Sequence, residues 1–87
     1  MKIKTSNEWV VYIIQTQSGK FYTGITNNLE QRFDNHQKKR GARFFHFSSA
    51  EKIVFCEPQP NRSEATKREI AIKKMSRKEK LTLMELR

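Results

Sequence analysis

The stretch that decides the fold is Trp9-Val10-Val11-Tyr12-Ile13-Ile14, which the loop Gln17-Ser18-Gly19 joins to Phe21-Tyr22-Thr23-Gly24-Ile25. The first segment is apolar at successive positions, as is typical of a central strand that is covered on both faces. Gly19 can adopt the left-handed conformation that a short hairpin loop needs. This loop predicts a register in which Tyr12 faces Gly24 and Tyr22 lies on the same face as Tyr12. We expect Gly24 to leave room beside Tyr12 for a substrate.

A helix is predicted directly after this hairpin. Asn27 and Glu30 have the spacing of a capping box, and the helix that they open should run to about Lys39. On this helix Arg32 and His36 are one turn apart and flank the apolar stripe. Residues 40–50 show no clear period and are predicted to form a loop.

A third strand is predicted over residues 52–57. Pro58 and Pro60 follow it and are expected to end it, because proline interrupts a strand. Cys56 is the single cysteine, so no intrachain disulfide is possible and no zinc site is indicated. We expect Cys56 to be a buried strand residue.

Two further helices are predicted in the last third of the chain. The first runs over about residues 62–75 after Asn61 as its cap, and Glu69 borders its apolar face. Ser76 and Glu79 form a second capping box, which opens a separate final helix. The pattern alone establishes only the order strand, strand, helix, strand, helix, helix.

The composition limits the class of partner. The chain has 87 residues, enough for one small domain, and its 18 Lys and Arg against 9 Asp and Glu give a formal charge of +9. That charge favours an acidic partner, either nucleic acid or an anionic membrane surface, and nucleic acid is the partner that we expect. The sequence contains neither an apolar run of about 18 residues for a membrane span nor the apolar core of a signal peptide. We therefore expect a cytoplasmic, monomeric protein.

The ordered motifs resemble those of the GIY-YIG nuclease superfamily, in particular its small stand-alone members of the UPF0213 type. Val10-Val11-Tyr12 stands in the place of the first triplet and keeps its tyrosine, and Tyr22-Thr23-Gly24 matches the outer residues of the second. Arg32, with His36 one turn later, resembles the first helix of the family. Glu69 matches the metal-binding glutamate of a later helix. The likeness covers about residues 9–80, so residues 1–87 are interpreted as one domain.

This resemblance implies an α/β (α+β) fold with a small three-stranded, mostly antiparallel sheet flanked by helices, in the order β-β-α-β-α-α. It also implies a metal-dependent endonuclease. Phosphodiester hydrolysis needs an activated water and stabilisation of negative charge. Tyr12 would be the general base, once a nearby cation lowers its pKa, and Arg32 would hold the phosphate. Glu69 would hold one Mg²⁺ or Mn²⁺, while Tyr22 and His36 would position water or phosphate and His36 could relay a proton.

Further contacts to nucleic acid, with DNA favoured, are expected from Gly24 and the basic residues Lys38, Lys39, Arg40, Lys73 and Lys74. Each candidate also has a plainer structural interpretation when it is considered alone. Strand tyrosines usually pack, and Glu69 could pair with Arg68 or Lys73. Two other functions therefore stay open. One is a basic nucleic-acid-binding module of the same fold with little or no activity. The other is a protein-interaction module that uses the C-terminal helix.

Overall fold

The computed structural model of the chain describes residues 8–38 and 48–85. These residues form the predicted α+β fold, with the elements β1 (Trp9–Thr16), β2 (Phe21–Thr26), α1 (Leu29–Gln37), β3 (Ala50–Gln59), α2 (Arg62–Lys73) and α3 (Arg77–Glu85). The predicted nucleic-acid contacts of Lys39 and Arg40, and the predicted end of the first helix at Lys39, lie outside the described residues.

Strand β1 is the centre of an antiparallel sheet with the order β2-β1-β3. Tyr12 pairs with Gly24, as predicted. Gly19 has a φ of 89°, and the backbone N–H of Thr16 donates to the carbonyl of Lys20 at 2.9 Å. The hairpin register that the loop length predicted is therefore confirmed.

The side chains of β1 alternate between two hydrophobic clusters, one on each face of the sheet. The cluster on the α1 face contains Val10, Tyr12, Ile14, Leu29 and Ala50. The cluster on the opposite face contains Val11, Ile13, Phe55, Ala65 and Ile72, and Leu83 and Met84 of α3 pack against it. Helices thus cover both faces of the sheet, which explains why β1 is apolar at successive positions.

Strand β3 is longer than predicted at both ends: it begins at Ala50, which the sequence assigned to a loop, and it continues past Pro58, which pairs with Val10 of β1. β3 is an edge strand, so one row of its backbone N–H groups needs no partner in the sheet and a proline is tolerated there. The edge position also leaves Cys56 only half-buried, whereas we expected full burial.

The capping residue of α1 also differs from the prediction. Asn28, not Asn27, is the N-cap, and its Oδ1 accepts a hydrogen bond from the backbone N–H of Gln31 at 3.2 Å. Asn61 caps α2 as predicted, with its Oδ1 accepting from the N–H of Glu64 at 2.9 Å. No helix that the described residues form is long and apolar enough to cross a membrane.

The Ser76 and Glu79 capping box is present at the start of α3. The Ser76 N–H donates to Glu79 Oε1 at 2.8 Å, and the Glu79 N–H donates to Ser76 Oγ at 3.1 Å. This reciprocal pair satisfies two backbone donors that the helix would otherwise leave without partners. It fixes the point at which the chain, after α2 ends at Lys73, turns into α3.

The two neighbouring asparagines allow a direct test of the cap. Asn28→Ala should lower the free energy of unfolding by about 1 kcal/mol, because the Gln31 N–H loses its acceptor. Asn27→Ala is the matched control and should change it by less than about 0.5 kcal/mol. Urea denaturation of both variants measures the difference, and equal losses would contradict the assignment of Asn28.

Candidate active site

A cleft of about 370 Å³ borders the edge strand β2. Tyr12 of β1, Tyr22 of β2, Arg32 of α1 and Glu69 of α2 all line it. Because α1 and α2 pack on opposite faces of the sheet, their side chains can meet only at an edge or an end of the sheet. The structure therefore brings together the four residues that the sequence placed on two strands and two helices.

Tyr12 is the most enclosed member of this group. Its side chain is 0% exposed, and its hydroxyl shares a hydrogen bond of 3.1 Å with His36 Nε2. Burial raises the pKa of the Tyr12 phenol to about 12, although contact with Arg32 acts in the opposite direction. The cation that we expected to lower this pKa is thus present, but burial has the larger effect. In the protein alone the phenol is protonated at neutral pH.

Gly24 lies directly under the Tyr12 ring. A Cβ atom built on Gly24 would stand 2.5 Å from the Tyr12 Oη and 2.7 Å from its Cζ. The missing side chain therefore makes room for the phenol itself, whereas we expected it to make room for a substrate. Gly24 nevertheless lines the cleft beside the phenol.

His36 lies behind Tyr12 and is not among the residues that line the cleft. It is 0% exposed, so it belongs to the core and does not merely flank it as predicted. Its ring also packs edge-on against Tyr22, with the ring centres 5.3 Å apart. Burial, and secondarily the charge of Arg32, lowers the pKa of His36 to about 4. The imidazole is therefore neutral at pH 7.

Arg32 and Glu69 carry the opposite charges of the cleft. Glu69 Oε2 lies 3.0 Å from Lys73 Nζ, and its carboxylate side chain is only 18% exposed. It borders the apolar face of α2, where Ala65 and Ile72 are fully buried, as predicted. Arg32 takes part in none of the ion pairs that the described residues form. Within the described residues the guanidinium therefore lines the cleft without an ion-pair partner.

The metal-binding side chains that line the cleft suit one kind of metal ion. Within residues 8–38 and 48–85 no group of three or more His, Cys, Asp and Glu is placed to hold an ion. Glu69 is the carboxylate that lines the cleft. A hard cation such as Mg²⁺ is commonly bound by one or two carboxylates, with waters and substrate oxygens completing its coordination. Zinc needs three or four protein ligands. The residues present therefore fit Mg²⁺ or Mn²⁺.

Three of the predicted basic contacts, Lys38, Lys73 and Lys74, are described by the structure, and none of the three lines the cleft. Lys38 forms an ion pair with Asp34 at 3.0 Å on the surface of α1. Lys73 is held by Glu69, and Lys74 is the exposed C-cap of α2. Their contacts with nucleic acid stay predictions.

Sequence reasoning missed four residues of the cleft, namely Trp9, Ile25, Thr26 and Arg62. The Arg62 guanidinium carbon lies 5.6 Å from the centre of the Trp9 ring. Arg62 precedes Glu69 by seven residues, which is about two helical turns, so both share one face of α2. That spacing was the signal that could have found Arg62.

The sequence of this chain has a match among known protein families. A family model described as the GIY-YIG catalytic domain matches residues 8–82. The chain belongs to the GIY-YIG family. A UPF0213 protein of Pseudomonas aeruginosa (strain UCBPP-PA14) is 40% identical over 76 residues, which are 87% of this chain and 73% of that protein. The UPF0213 protein YhbQ of Escherichia coli O127:H6 is 34% identical over 76 residues, which are 87% of this chain and 76% of that protein.

A solved structure of a UPF0213 protein has a similar fold. The solution NMR structure of the UPF0213 protein BH0048 from Bacillus halodurans matches with a TM-score of 0.58 and 27% sequence identity. The match covers 92% of this chain and 85% of that chain. Membership of the GIY-YIG family implies a nuclease-like activity, whereas the UPF0213 names state no substrate.

The buried imidazole predicts a pH dependence of stability. His36 stays neutral in the folded state down to about pH 4, whereas an ordinary His binds a proton below pH 6.5 in the unfolded state. The unfolded state therefore binds more protons in this window, and acid favours unfolding. Between pH 6.5 and pH 4 this effect should remove up to roughly 3 kcal/mol of stability.

His36→Gln is the control for this effect, because it removes the titrating group and leaves every carboxylate. Urea denaturation at several pH values should show that the wild type loses more stability than His36→Gln as the pH falls. Parallel pH profiles for the two proteins would contradict the lowered pKa of His36.

Proposed function

We propose that this GIY-YIG domain is a divalent-metal-dependent endonuclease that hydrolyses phosphodiester bonds in nucleic acid, with DNA favoured. The observation that carries this proposal is the convergence of Tyr12, Tyr22, Arg32 and Glu69 on one cleft. The family membership and the net charge of +9 support it, because that charge attracts a polyanionic substrate.

Arg32 holds the scissile phosphate in this proposal. A guanidinium is planar, permanently charged and able to donate two parallel hydrogen bonds to phosphate oxygens. Arg32 has no carboxylate partner among the described residues, so binding a phosphate breaks no ion pair. Its contact should strengthen as negative charge builds on the phosphate during the reaction.

Tyr12 accepts the proton of the attacking water. A phenol with a pKa of about 12 is protonated at neutral pH, so it must release its own proton as it takes one from water. His36 Nε2 lies 3.1 Å from the phenol oxygen and can accept a hydrogen bond from it. Because burial lowers the pKa of His36 to about 4, transfer of that proton to the imidazole requires the negative charge of the bound phosphate to raise this pKa. His36 thus acts through Tyr12 and needs no contact with the substrate. Tyr22 lines the cleft, with its ring centre 6.3 Å from that of Tyr12, and positions the water or the phosphate.

Glu69 supplies the carboxylate for the metal. When bound, Mg²⁺ would polarise the phosphate as a Lewis acid. The ion pair with Lys73 holds the Glu69 carboxylate in place, and the cation must compete with this lysine. Lys73 is more than half exposed, so it can move into solvent at low cost.

A binding module with little or no activity is the second candidate function. Two observations favour it over the enzyme: burial raises the pKa of Tyr12 when a base needs a lower one, and Lys73 already neutralises Glu69. In a binding module the cleft would hold a phosphate through its arginines, Arg32 and Arg62, without a metal ion. Measurements of DNA cleavage and DNA binding by the Glu69→Ala variant separate the two functions.

Glu69→Ala should abolish Mg²⁺-dependent cleavage while leaving nucleic-acid binding intact or slightly stronger, because a negative charge near the phosphate is removed. Arg32→Ala should weaken both, because the guanidinium contacts the phosphate before and during the reaction. Glu64→Ala is the matched control, since Glu64 forms a similar ion pair on the same helix, with Lys67 at 3.3 Å. It should change neither cleavage nor binding.

Branched, nicked, single-stranded and duplex substrates should be tested with Mg²⁺ and with Mn²⁺. If the wild type binds but cuts none of them, and Glu69→Ala alters only stability, the enzyme proposal fails and the binding module is the better account.

A further inference from the structure

A second concave surface, of about 300 Å³, lies where the β1–β2 loop meets the start of α3. We name it the hairpin pocket, and its lining residues are Lys20, Phe21, Arg77 and Lys80. Three of these four residues are cationic and none is acidic. The pocket shares no lining residue with the cleft described above.

Arg77 is fixed in this pocket by two contacts with the hairpin. Its guanidinium carbon lies 4.5 Å from the centre of the Phe21 ring, and its Nη1 donates to the carbonyl of Gly19 at 3.1 Å. One N–H of the Arg77 guanidinium is therefore already hydrogen-bonded, and contact with the Phe21 ring orients the guanidinium. The remaining donors are held in place before any ligand arrives, which lowers the entropy cost of binding an anion.

The charges of the hairpin pocket are not neutralised by the described parts of the chain. Lys20, Arg77 and Lys80 take part in none of the ion pairs there, which instead use Lys38, Lys67, Arg68 and Lys73. Glu79 stands next to Lys80 in the sequence, but its carboxylate accepts from the Ser76 backbone as part of the α3 cap. Like charges gathered in one pocket repel each other, and an anionic ligand removes that cost.

The position of the pocket relative to the cleft indicates which anion. Both border edge strand β2, where Phe21 lines the pocket and the next residue, Tyr22, lines the cleft. A polynucleotide carries one phosphate per nucleotide, so a strand whose scissile phosphate lies in the cleft has further phosphates beside it that can reach the neighbouring pocket.

We infer that the hairpin pocket binds a backbone phosphate of the same nucleic acid whose scissile phosphate lies in the cleft. This inference rests on the proposed function of the cleft. The strand then runs along β2, and the pocket fixes its position without reading its sequence, as phosphate contacts do.

The test compares the double variant Lys20→Gln/Lys80→Gln with Lys52→Gln/Lys67→Gln, which removes the same charge from exposed positions outside both sites. Arg77 is left in place because it ties α3 to the hairpin, and thermal unfolding confirms that all proteins are folded. Affinity for a fluorescent 12-base-pair DNA duplex is measured without Mg²⁺, so that nothing is cut, over a range of salt concentrations.

The pocket variant should bind the duplex roughly tenfold or more weakly at ~0.1 M salt, and its plot of log affinity against log salt should be less steep by about 2. The control variant should keep the wild-type slope. A pocket variant that matches the control in affinity and slope overturns the inference. The same loss measured with poly-glutamate in place of DNA also overturns it, because the pocket would then be a general polyanion surface.

Failure of the proposed function gives a different result. If the wild type cuts no substrate and Arg32→Ala binds the duplex as tightly as the wild type, the cleft does not hold the nucleic acid. If the wild type cuts DNA and the pocket variant binds DNA as tightly as the wild type, the proposed function of the cleft is supported and the inference about the hairpin pocket fails.

Discussion

The packing of the Tyr12 phenol over Gly24, with its hydroxyl bonded to His36, is the contact on which the site depends. It requires the hairpin register, because only a glycine opposite Tyr12 leaves room for the ring. It also requires α1 to lie on this face of the sheet, because His36 is on α1. One buried contact therefore ties the two strands and the first helix to the chemistry of the phenol.

Burial determines the protonation states of Tyr12 and His36. The same enclosure that holds Tyr12 raises the pKa of the phenol to about 12 and lowers that of His36 to about 4. Both groups are thus neutral at pH 7 and form a hydrogen-bonded pair next to two arginines, Arg32 and Arg62, in the cleft. A neutral pair costs less to bury than an ion pair.

The features that local patterns could predict are those set by neighbours in the sequence. The three-residue loop with Gly19 fixed the hairpin register, and Asn61 marked the start of α2. Other features depend on tertiary contacts. Asn27 and Asn28 have the same capping propensity, so only the geometry of the chain selects between them. Pro58 looks like a strand terminator until β3 is known to be an edge strand.

The candidate site likewise has features that depend on tertiary contacts and that the sequence could not predict. The resemblance of the triplets and helices brought Tyr12, Tyr22, Arg32 and Glu69 together, but it gave no information on how deeply each side chain is buried. A histidine beside an apolar stripe is usually half-exposed, and His36 became a core residue because the Tyr12 hydroxyl supplies its polar partner. Trp9 and Arg62 both line the cleft and contact each other there, and no sequence motif predicts that contact.

The most direct test of the central claim is the rate of Mg²⁺-dependent DNA cleavage by Tyr12→Phe. This variant keeps the ring over Gly24 and removes only the hydroxyl that lies between the cleft and His36. If Tyr12 accepts the proton of the attacking water, the rate should fall by about 10²–10⁴-fold while DNA affinity stays at the wild-type value. Cleavage by Tyr12→Phe at the wild-type rate would contradict the account.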